Sequence, residues 1–343
     1  MPLSLTQAFK AQSEACAALG SPFMGRLMAL LAARLTPADG EIAARLFAWE
    51  GDVGASGHSL PLRLAGGLHA LRLMDRADLA SVYPPTTSRD EDLWDTVLGA
   101  MTAEAAFLMR WLDSPPQTNE LRRAAVVRAV AHWLADRHGL PLDVMELGAS
   151  AGLNLNWDRF ALRIGDRTLG PANPVISLAP EWQGPLPPDA EPVIATRAGV
   201  DLAPLEPGRD RLRLLAYLWP DQTDRLARME AVLGLSPQKV DAGDAGAWLE
   251  RVLARPQPAG VCRMIFHTIA WQYFPPATDA RARGAIMAAG AGATEDRPLA
   301  WFGMEADGKG RGAGMTLRLW PGHVSLDAGR VDFHGRWVDW RLT

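Results

Sequence analysis

Cysteine and lysine are both scarce in this chain of 343 residues. The two cysteines, Cys16 and Cys262, stand in no Cys-x-x-Cys or Cys/His cluster, which excludes a disulfide framework and a cysteine-based zinc site. We therefore expect no metal centre and a reducing, cytoplasmic location. Lysine occurs only at Lys10, Lys239 and Lys309, and the net charge is −4. The chain thus lacks the basic surface that binds phosphate backbones, and we expect no nucleic-acid partner.

Long apolar runs are absent as well. The best candidate, 27–33, falls far short of the roughly 18 apolar residues that a membrane-spanning helix needs. The first 20 residues are interrupted by Lys10, Gln12 and Glu14, so they lack the apolar centre of a secretory signal. We therefore expect neither membrane association nor secretion.

The composition is that of an ordinary globular protein, with 48% hydrophobic and 22% charged residues. The length suggests about two domains. Up to residue 139 the apolar residues recur at intervals of three and four, which predicts an all-α N-terminal domain over 1–139. The predicted helices cover 25–35, 41–50, 60–74, 90–112 and 121–137.

Residues 140–343 show a different pattern, in which short apolar runs alternate with helices. This alternation predicts an α/β domain with a doubly wound, Rossmann-like parallel sheet. Glycine and proline pairs between about 162 and 190 indicate an inserted group of turns. The predicted strands cover 142–147, 192–200, 238–241, 261–267 and 299–304, followed by an antiparallel pair at 314–320 and 331–342.

The most informative stretch joins the first strand to a turn of small residues, Glu146-Leu147-Gly148-Ala149-Ser150-Ala151-Gly152. Two mechanisms fit it. Gly148 and Gly152 can let the backbone approach a cofactor, with Glu146 as a polar anchor. The same letters spell a Gly-x-Ser-x-Gly nucleophile elbow with Ser150 as an esterase nucleophile. Because the segment upstream is helical and offers no earlier strands, the cofactor interpretation is favoured.

Acidic residues follow the second and third predicted strands. Asp201 could accept both hydroxyls of a ribose, although it lies 49 residues after Gly152, which requires the insertion at 162–190. Asp244 could accept from an adenine amino group. The alternatives are a carboxylate at a helix N-terminus for Asp201 and the cap of a helix beginning near Ala245 for Asp244.

Other polar residues are candidates for the substrate side. The run Gln117-Thr118-Asn119-Glu120 precedes the helix that leads into the first strand, and we expect Gln117 and Asn119 to contact substrate, with helix capping as the alternative. Of Asn154 and Asn156, which cannot share a helix face, we expect one to contact the ligand or a loop.

Three further residues carry weaker hypotheses. His267 ends the fourth predicted strand, where a catalytic group of such a fold would lie; packing is the alternative. Arg63 and His69, on one predicted helix, are either a pair facing the substrate or part of a solvated face.

Taken together, these motifs resemble two families. The run Glu146-x-Gly148, with Gly199-Val200-Asp201 and Gly243-Asp244, resembles the cofactor motifs of class I S-adenosylmethionine-dependent methyltransferases. Ser150 stands where that family has the middle glycine. Over nearly the whole chain, the sequence resembles the bacterial family known as domain of unknown function 2332. The segments that carry this second resemblance are Glu146–Leu155, Gln117–Glu120, Pro61–Leu64 and Trp219–Gln222.

The resemblance implies a methyltransferase-type sheet and S-adenosylmethionine as cofactor. The cofactor-binding residues would be Glu146, Gly148, Ser150, Gly152, Asn154, Asp201 and Asp244. The expected function is methyl transfer to a small molecule, with His267 or Glu120 as the base and the helical domain as a lid that carries Arg63 or His69. The alternatives are an inactive cofactor-fold protein that binds a partner and a serine hydrolase that uses Ser150. The sequence indicates neither the acceptor nor the oligomeric state.

Overall fold

The computed structural model describes residues 3–117 and 119–343. These residues form a mixed α/β structure with eleven α-helices and twelve strands, numbered in chain order. The helices are α1 Leu5–Ala18, α2 Pro22–Arg34, α3 Glu41–Phe47, α4 Leu60–Leu73, α5 Asp90–Ala103, α6 Ala105–Leu112, α7 Ala124–His138, α8 Arg211–Ala216, α9 Thr223–Leu233, α10 Ala245–Leu253 and α11 Pro276–Ala291. The strands are β1 Leu142–Leu147, β2 Phe160–Ile164, β3 Arg167–Leu169, β4 Ile176–Leu178, β5 Glu181–Gln183, β6 Ile194–Asp201, β7 Val240–Ala242, β8 Cys262–Thr268, β9 Leu299–Glu305, β10 Ala313–Trp320, β11 Val324–Val331 and β12 Trp337–Trp340.

The chain divides into two compact units. The first combines the described part of residues 1–118 with Gly208–Glu230, and the second combines Asn119–Pro207 with Ala231–Thr343. This division differs from the expected boundary at 139/140. The helix α7 belongs to the second unit, and α8 with most of α9 belongs to the first. Contacts between segments far apart in sequence determine such a boundary, and the periodicity of apolar residues along the chain does not reveal these contacts.

The first unit is helical and has its own apolar core. Its helices begin where side chains satisfy free backbone N–H groups: Ser4 forms a capping box at α1, and Ser21 caps α2 ahead of Pro22. The helix expected over 90–112 is two helices, α5 and α6, which are divided at Glu104. The helix α1 was not among the predicted helices. The helix α4 is buried around most of its circumference.

The second unit is built on a nine-stranded sheet with the order β5-β12-β11-β10-β9-β8-β1-β6-β7. Five neighbouring strands, β9, β8, β1, β6 and β7, run parallel. The strands β10, β11 and β12 extend this sheet in antiparallel fashion. The strand β1 lies in the middle of the parallel part. Five of its six residues are buried, as is typical of a strand covered on both faces.

Near the end of the chain one predicted strand is misplaced. The partner of β10 is β11, Val324–Val331, whereas 331–342 contains the shorter β12. Val324, Leu326 and Ala328 alternate with polar residues and Gly329, so the sequence carries the period-two pattern of this strand, and the prediction missed it.

The insertion after β1 forms a second sheet with the order β3-β2-β4. It occupies much of the region expected at 162–190, and β5 from the same region joins the edge of the large sheet beside β12. The helix expected directly after the first strand is absent. A 3₁₀ segment, Asn154–Arg159, stands there instead and leads straight into β2, so the turn at 148–152 does not lead into an α-helix.

One face of the parallel strands is covered by α10 and α11. Trp248, Leu249, Ala282 and Ile286 from these helices share a buried cluster with sheet residues such as Ile265. Within the described residues, no helix combines the length and the apolar character needed to cross a membrane.

Candidate functional site

The parallel strands place several polar residues at one edge of the sheet. From β1 the chain continues to β6 on one side, while β8 lies on the other side of β1. In such sheets the carboxyl ends of the strands at this reversal form the usual ligand crevice. Glu146 near the end of β1, Asp201 at the end of β6 and His267 near the end of β8 all lie at this edge.

Asp201 holds the turn that follows β1. Its Oδ2 accepts a hydrogen bond from the Ser150 N–H at 2.8 Å, and its Oδ1 accepts from the Ala203 N–H at 3.0 Å. The turn needs such support because Gly148, Ser150 and Gly152 all have positive φ angles, of 71°, 50° and 68°. The left-handed conformation is unfavourable for Ser150, which has a Cβ.

The two glycines of the turn are required by the protein's own packing. A Cβ on Gly148 would lie 2.4 Å from Ala270 Cβ, and one on Gly152 would lie 2.8 Å from Val240 Cγ2. The room that each glycine leaves is therefore occupied by a side chain of this chain. Packing within the chain therefore accounts for both glycines, and their approach to a cofactor stays a prediction.

Residues before α7 contact the same turn. The Asn119 amide donates from Nδ2 to Ser150 Oγ at 3.1 Å and accepts the Ala151 N–H at 3.3 Å. Asn154 Nδ2 donates to the Glu120 carbonyl oxygen at 3.3 Å. Asn119 thus stabilises the turn and is not directed at a substrate. Its neighbour Thr118 lies outside the described residues.

Among the residues that the structure describes, two acceptor oxygens at this edge are buried without a donor: Oε2 of Glu146 and Oδ1 of Asn154. Glu146 is 3% exposed and Asn154 9%. Burial, and next the negative charge of Asp201, raise the pKa of Glu146 well above its usual value, while Arg123 acts in the opposite direction. A buried acceptor without a donor costs free energy, so these two oxygens are candidates for contact with the donors of a ligand.

Other predicted site residues have structural partners. Asn156 contacts a loop, where its Oδ1 accepts from Gln238 Nε2 at 2.8 Å. Asp244 caps α10 through the Ala247 N–H at 2.8 Å and accepts from the Thr278 hydroxyl. Burial raises the pKa of Asp244, but these hydrogen bonds outweigh it, so the net pKa is lowered. The capping alternative therefore describes Asp244 better than an adenine contact.

Glu120 also caps a helix. Its Oε1 accepts the Arg122 N–H at 3.2 Å at the start of the 3₁₀ segment Leu121–Arg123. The residue is 3% exposed. Glu120 thus provides the cap itself, and its role as a base stays a prediction.

Both ring nitrogens of His267 are occupied. The Trp301 indole N–H donates to Nε2 at 3.0 Å, and Nδ1 lies 2.6 Å from Glu305 Oε1. An indole nitrogen can only donate, so Nε2 is the acceptor and the single proton of a neutral ring is on Nδ1, which donates to Glu305. In this arrangement His267 has no free nitrogen to act as acid or base, and packing is the better account.

Glu305 is a residue that the sequence analysis missed. Its Oε1 also accepts the N–H groups of Ala270 at 3.0 Å and Trp271 at 2.9 Å, and its Oε2 accepts that of Gln272 at 3.3 Å. Glu305 therefore fixes the loop that follows β8. It directly follows a predicted strand, which is the signal that identified Asp201.

Arg63 and His69 lie inside the helical unit, and neither is on a solvated face. Arg63 is 6% exposed and donates to the carbonyl oxygens of His58 and Leu112, each at 2.7 Å. His69 Nδ1 lies 3.1 Å from the Ala216 carbonyl oxygen, and burial lowers the pKa of His69 to about 4. Both residues are structural. Gln117 belongs to the same unit, and its substrate role stays a prediction.

The family comparison agrees with the motifs. The family described as "Uncharacterized protein conserved in bacteria (DUF2332)" matches residues 6–340. The chain belongs to this family. None of the curated proteins compared with the chain matches it. Among the residues that the structure describes, no group of three or more His, Cys, Asp or Glu side chains could hold a metal ion.

Proposed function

We propose that this member of the family binds S-adenosylmethionine at the carboxyl edge of β1 and β6 and transfers its methyl group to a small molecule. The observation that carries the proposal is a pair of buried acceptor oxygens, Glu146 Oε2 and Asn154 Oδ1, for which the described part of the chain supplies no donor. Ribose hydroxyls and an ammonium group, both present in this cofactor, are hydrogen-bond donors. The same edge is the usual ligand crevice of a parallel sheet with this strand order.

The residues present fit the donor groups of the cofactor. Glu146 and Asn154 would accept from them, and Asp201, whose two oxygens each accept one backbone N–H, keeps further lone pairs for hydroxyls. The cofactor supplies an activated methyl group when bound. The chain's own contribution is to orient the reactants and exclude water, because little other chemistry is needed for such a displacement.

The main test is ligand-induced stabilisation by S-adenosylhomocysteine. A ligand that binds only the folded state stabilises it by about 2.7 kcal/mol at 100 times its Kd, so the melting temperature of the wild type should rise at millimolar ligand. Glu146→Gln, which replaces an acceptor by a donor, should abolish the rise. The control Asp241→Asn changes a carboxylate near the end of β7 that is bound to Trp248, and it should respond like the wild type.

Two results would count against this proposal. If the wild type shows no rise at millimolar ligand, the site does not bind the adenosyl group. If Glu146→Gln and Asp241→Asn respond equally, binding occurs elsewhere. In the first case, the interpretation as an inactive protein that binds a partner gains support.

A second candidate, a serine hydrolase, has one observation in its favour. The positive φ of Ser150, 50°, is typical of a strained nucleophile turn. However, the Ser150 hydroxyl is paired with the Asn119 amide group, which donates to it and cannot take up its proton. We therefore expect no covalent labelling of Ser150 by a fluorophosphonate. Labelling at this residue would replace methyl transfer by hydrolysis.

A further inference from the structure

A cavity of about 260 Å³ lies on the side of the large sheet that α11 covers. Its floor comes from β9 and β10, which contribute Gly303, Gly314 and Thr316. Strand register places Glu146 on the opposite face, because β1 and β8 pair Met145 with Ile265 and β9 continues that row at Trp301. The cavity is therefore distinct from the edge proposed to bind the cofactor.

One wall of the cavity is aromatic. The ring centroids of Trp271 and Trp301 are 5.0 Å apart, and the His267 ring lies 4.8 Å from that of Trp271. The positions of these rings are fixed by hydrogen bonds: Trp301 donates to His267, and Trp271 donates to Asp279. A rigid aromatic wall of this kind favours a flat, apolar ligand body, because stacked or edge-on rings attract each other beyond their burial.

Most charges around the cavity are already paired. Arg283 Nε lies 3.0 Å from Asp279 Oδ2, and Asp307 forms two 2.9 Å hydrogen bonds with Arg330. The Glu305 carboxylate accepts four N–H groups. These pairings leave the charge of the remaining cations, Arg318 and Lys309, to be matched by something else.

Arg318 is the more informative of the two cations. Its guanidinium carbon lies 4.5 Å from the ring centroid of Trp301, opposite which it stands in strand register. Among the residues described, no carboxylate pairs with Arg318 or Lys309. Burial, and next the charge of Arg283, lower the pKa of Arg318, although a guanidinium remains charged at neutral pH. A half-buried cation beside a second cation is stabilised by an anion.

We propose that this cavity binds a small aromatic carboxylate, with its carboxylate on Arg318 and its ring against Trp271 and Trp301. The Thr316 hydroxyl, exposed on the floor, offers one more polar contact. The volume of about 260 Å³ lies just below the roughly 300–1,000 Å³ of small-molecule sites, which fits a ligand with a single ring. This assignment does not depend on the proposed methyl transfer.

The experiment uses benzoate as the probe and follows the indole N–H resonances of the tryptophans in the full chain. Trp301→Phe assigns the resonance of Trp301, whose N–H donates to His267. Millimolar benzoate should shift this resonance in the wild type. In Arg318→Gln its affinity should fall about tenfold to a hundredfold, the effect of losing a charge-assisted hydrogen bond. The matched control is Arg311→Gln, which also removes an arginine stacked on a tryptophan, Trp337 at 4.4 Å, but outside the cavity.

A second variant keeps the proposal testable if Arg318→Gln does not fold. Thr316→Leu fills the cavity floor from an exposed position of β10, and it should also weaken benzoate binding. Equal binding by Thr316→Leu, Arg318→Gln and the wild type would overturn the site. Inorganic phosphate that shifts the resonance as strongly as benzoate would overturn the aromatic ligand class. No shift of Trp301 with benzoate would overturn the proposal as a whole.

Discussion

Glu146 and Glu305 both lie near the carboxyl ends of strands in one sheet, Glu146 buried and Glu305 partly buried, and their surroundings are opposite. Glu305 accepts hydrogen bonds from His267 and from three consecutive backbone N–H groups. Glu146 has one carboxylate oxygen to which none of the described residues donates. Burial acts on both carboxyl groups in the same direction, but the pKa of Glu146 is raised and that of Glu305 is lowered.

The difference shows that hydrogen-bond donors, more than burial, set the direction in which the pKa of each carboxyl group is shifted. For Glu305 burial raises the pKa, and the hydrogen bonds from His267, Ala270 and Trp271 more than offset that effect. Its carboxylate oxygens already accept the N–H groups of the loop after β8. Glu146 keeps unused accepting capacity, which is a property of a ligand site. The surroundings of the two glutamates are in contact through Ala270, whose N–H donates to Glu305 and whose side chain lies against Gly148.

The largest effect should come from Glu305→Ala. This substitution leaves several partly buried N–H groups without an acceptor, and it should lower the free energy of unfolding by about 4 kcal/mol, given about 1–3 kcal/mol for each unsatisfied donor. Urea unfolding measures the change. The control Glu250→Ala removes an exposed carboxylate paired with Arg281 and should cost little. Similar losses in both variants would show that Glu305 does not anchor the loop.

Gly148→Ala should have the next largest effect. The alanine Cβ would meet Ala270 Cβ at 2.4 Å in a left-handed conformation, and we expect a loss of about 3 kcal/mol from clash and conformational strain together. Gly139→Ala is the matched control, because Gly139 has a similar φ of 63° and nothing within 4 Å of an added Cβ. It should lose only about 1 kcal/mol. Equal losses would mean that the Ala270 contact is unimportant.

The sequence predicts the parallel part of this fold well and the site less well. The strand β1 was predicted at its observed bounds, because a short buried apolar run between turn residues is typical of a central strand. The edge position of Asp201 follows from the same logic. Glu305 was missed because the predicted strand ended one residue earlier, at Met304, and an acidic residue after a strand was sought only at Asp201 and Asp244.

The partners of side chains could not be predicted from sequence patterns. Trp301 and His267 are 34 residues apart. The sequence around His267 does not indicate that the indole N–H of Trp301 donates to its Nε2. Likewise, the glycines of the turn suggested a cofactor loop. The side chains that lie against them belong to distant segments, Val240 at the start of β7 and Ala270 after β8. Such contacts arise from the packing of distant segments.

The pH dependence of stability separates the two glutamates by sign. The folded pKa of Glu146 lies above its unfolded value of about 4.3, so its contribution to stability is present below that pH and is lost as pH rises through the folded pKa. Glu146→Gln should remove this loss, so that unfolding in urea at about pH 8 shows a gain over the wild type that is absent at about pH 4. The gain should be about 1.4 kcal/mol for each pH unit that separates the folded pKa from the unfolded one.

Glu305 acts in the opposite sense, because its lowered pKa stabilises the fold at higher pH and that stability is lost on acidification. The same urea series on Glu305→Ala should therefore show a smaller loss at low pH than at neutral pH. A gain in Glu146→Gln that is independent of pH would contradict the assignment of opposite signs to the two glutamates.

The smallest effect should distinguish the two substitutions of Ser150 that remove its hydroxyl. Ser150→Ala and Ser150→Gly both leave Asn119 Nδ2 without its acceptor, but only glycine relieves the left-handed conformation at φ 50°. Since that conformation costs an L-residue about 1 kcal/mol, the glycine variant should be more stable than the alanine variant by about that amount in urea unfolding. Both variants should keep the response to S-adenosylhomocysteine, because the site acceptors are Glu146, Asn154 and Asp201. An alanine variant as stable as the glycine variant would show that the turn is not strained, and it would remove the one structural feature that favours a nucleophile at Ser150.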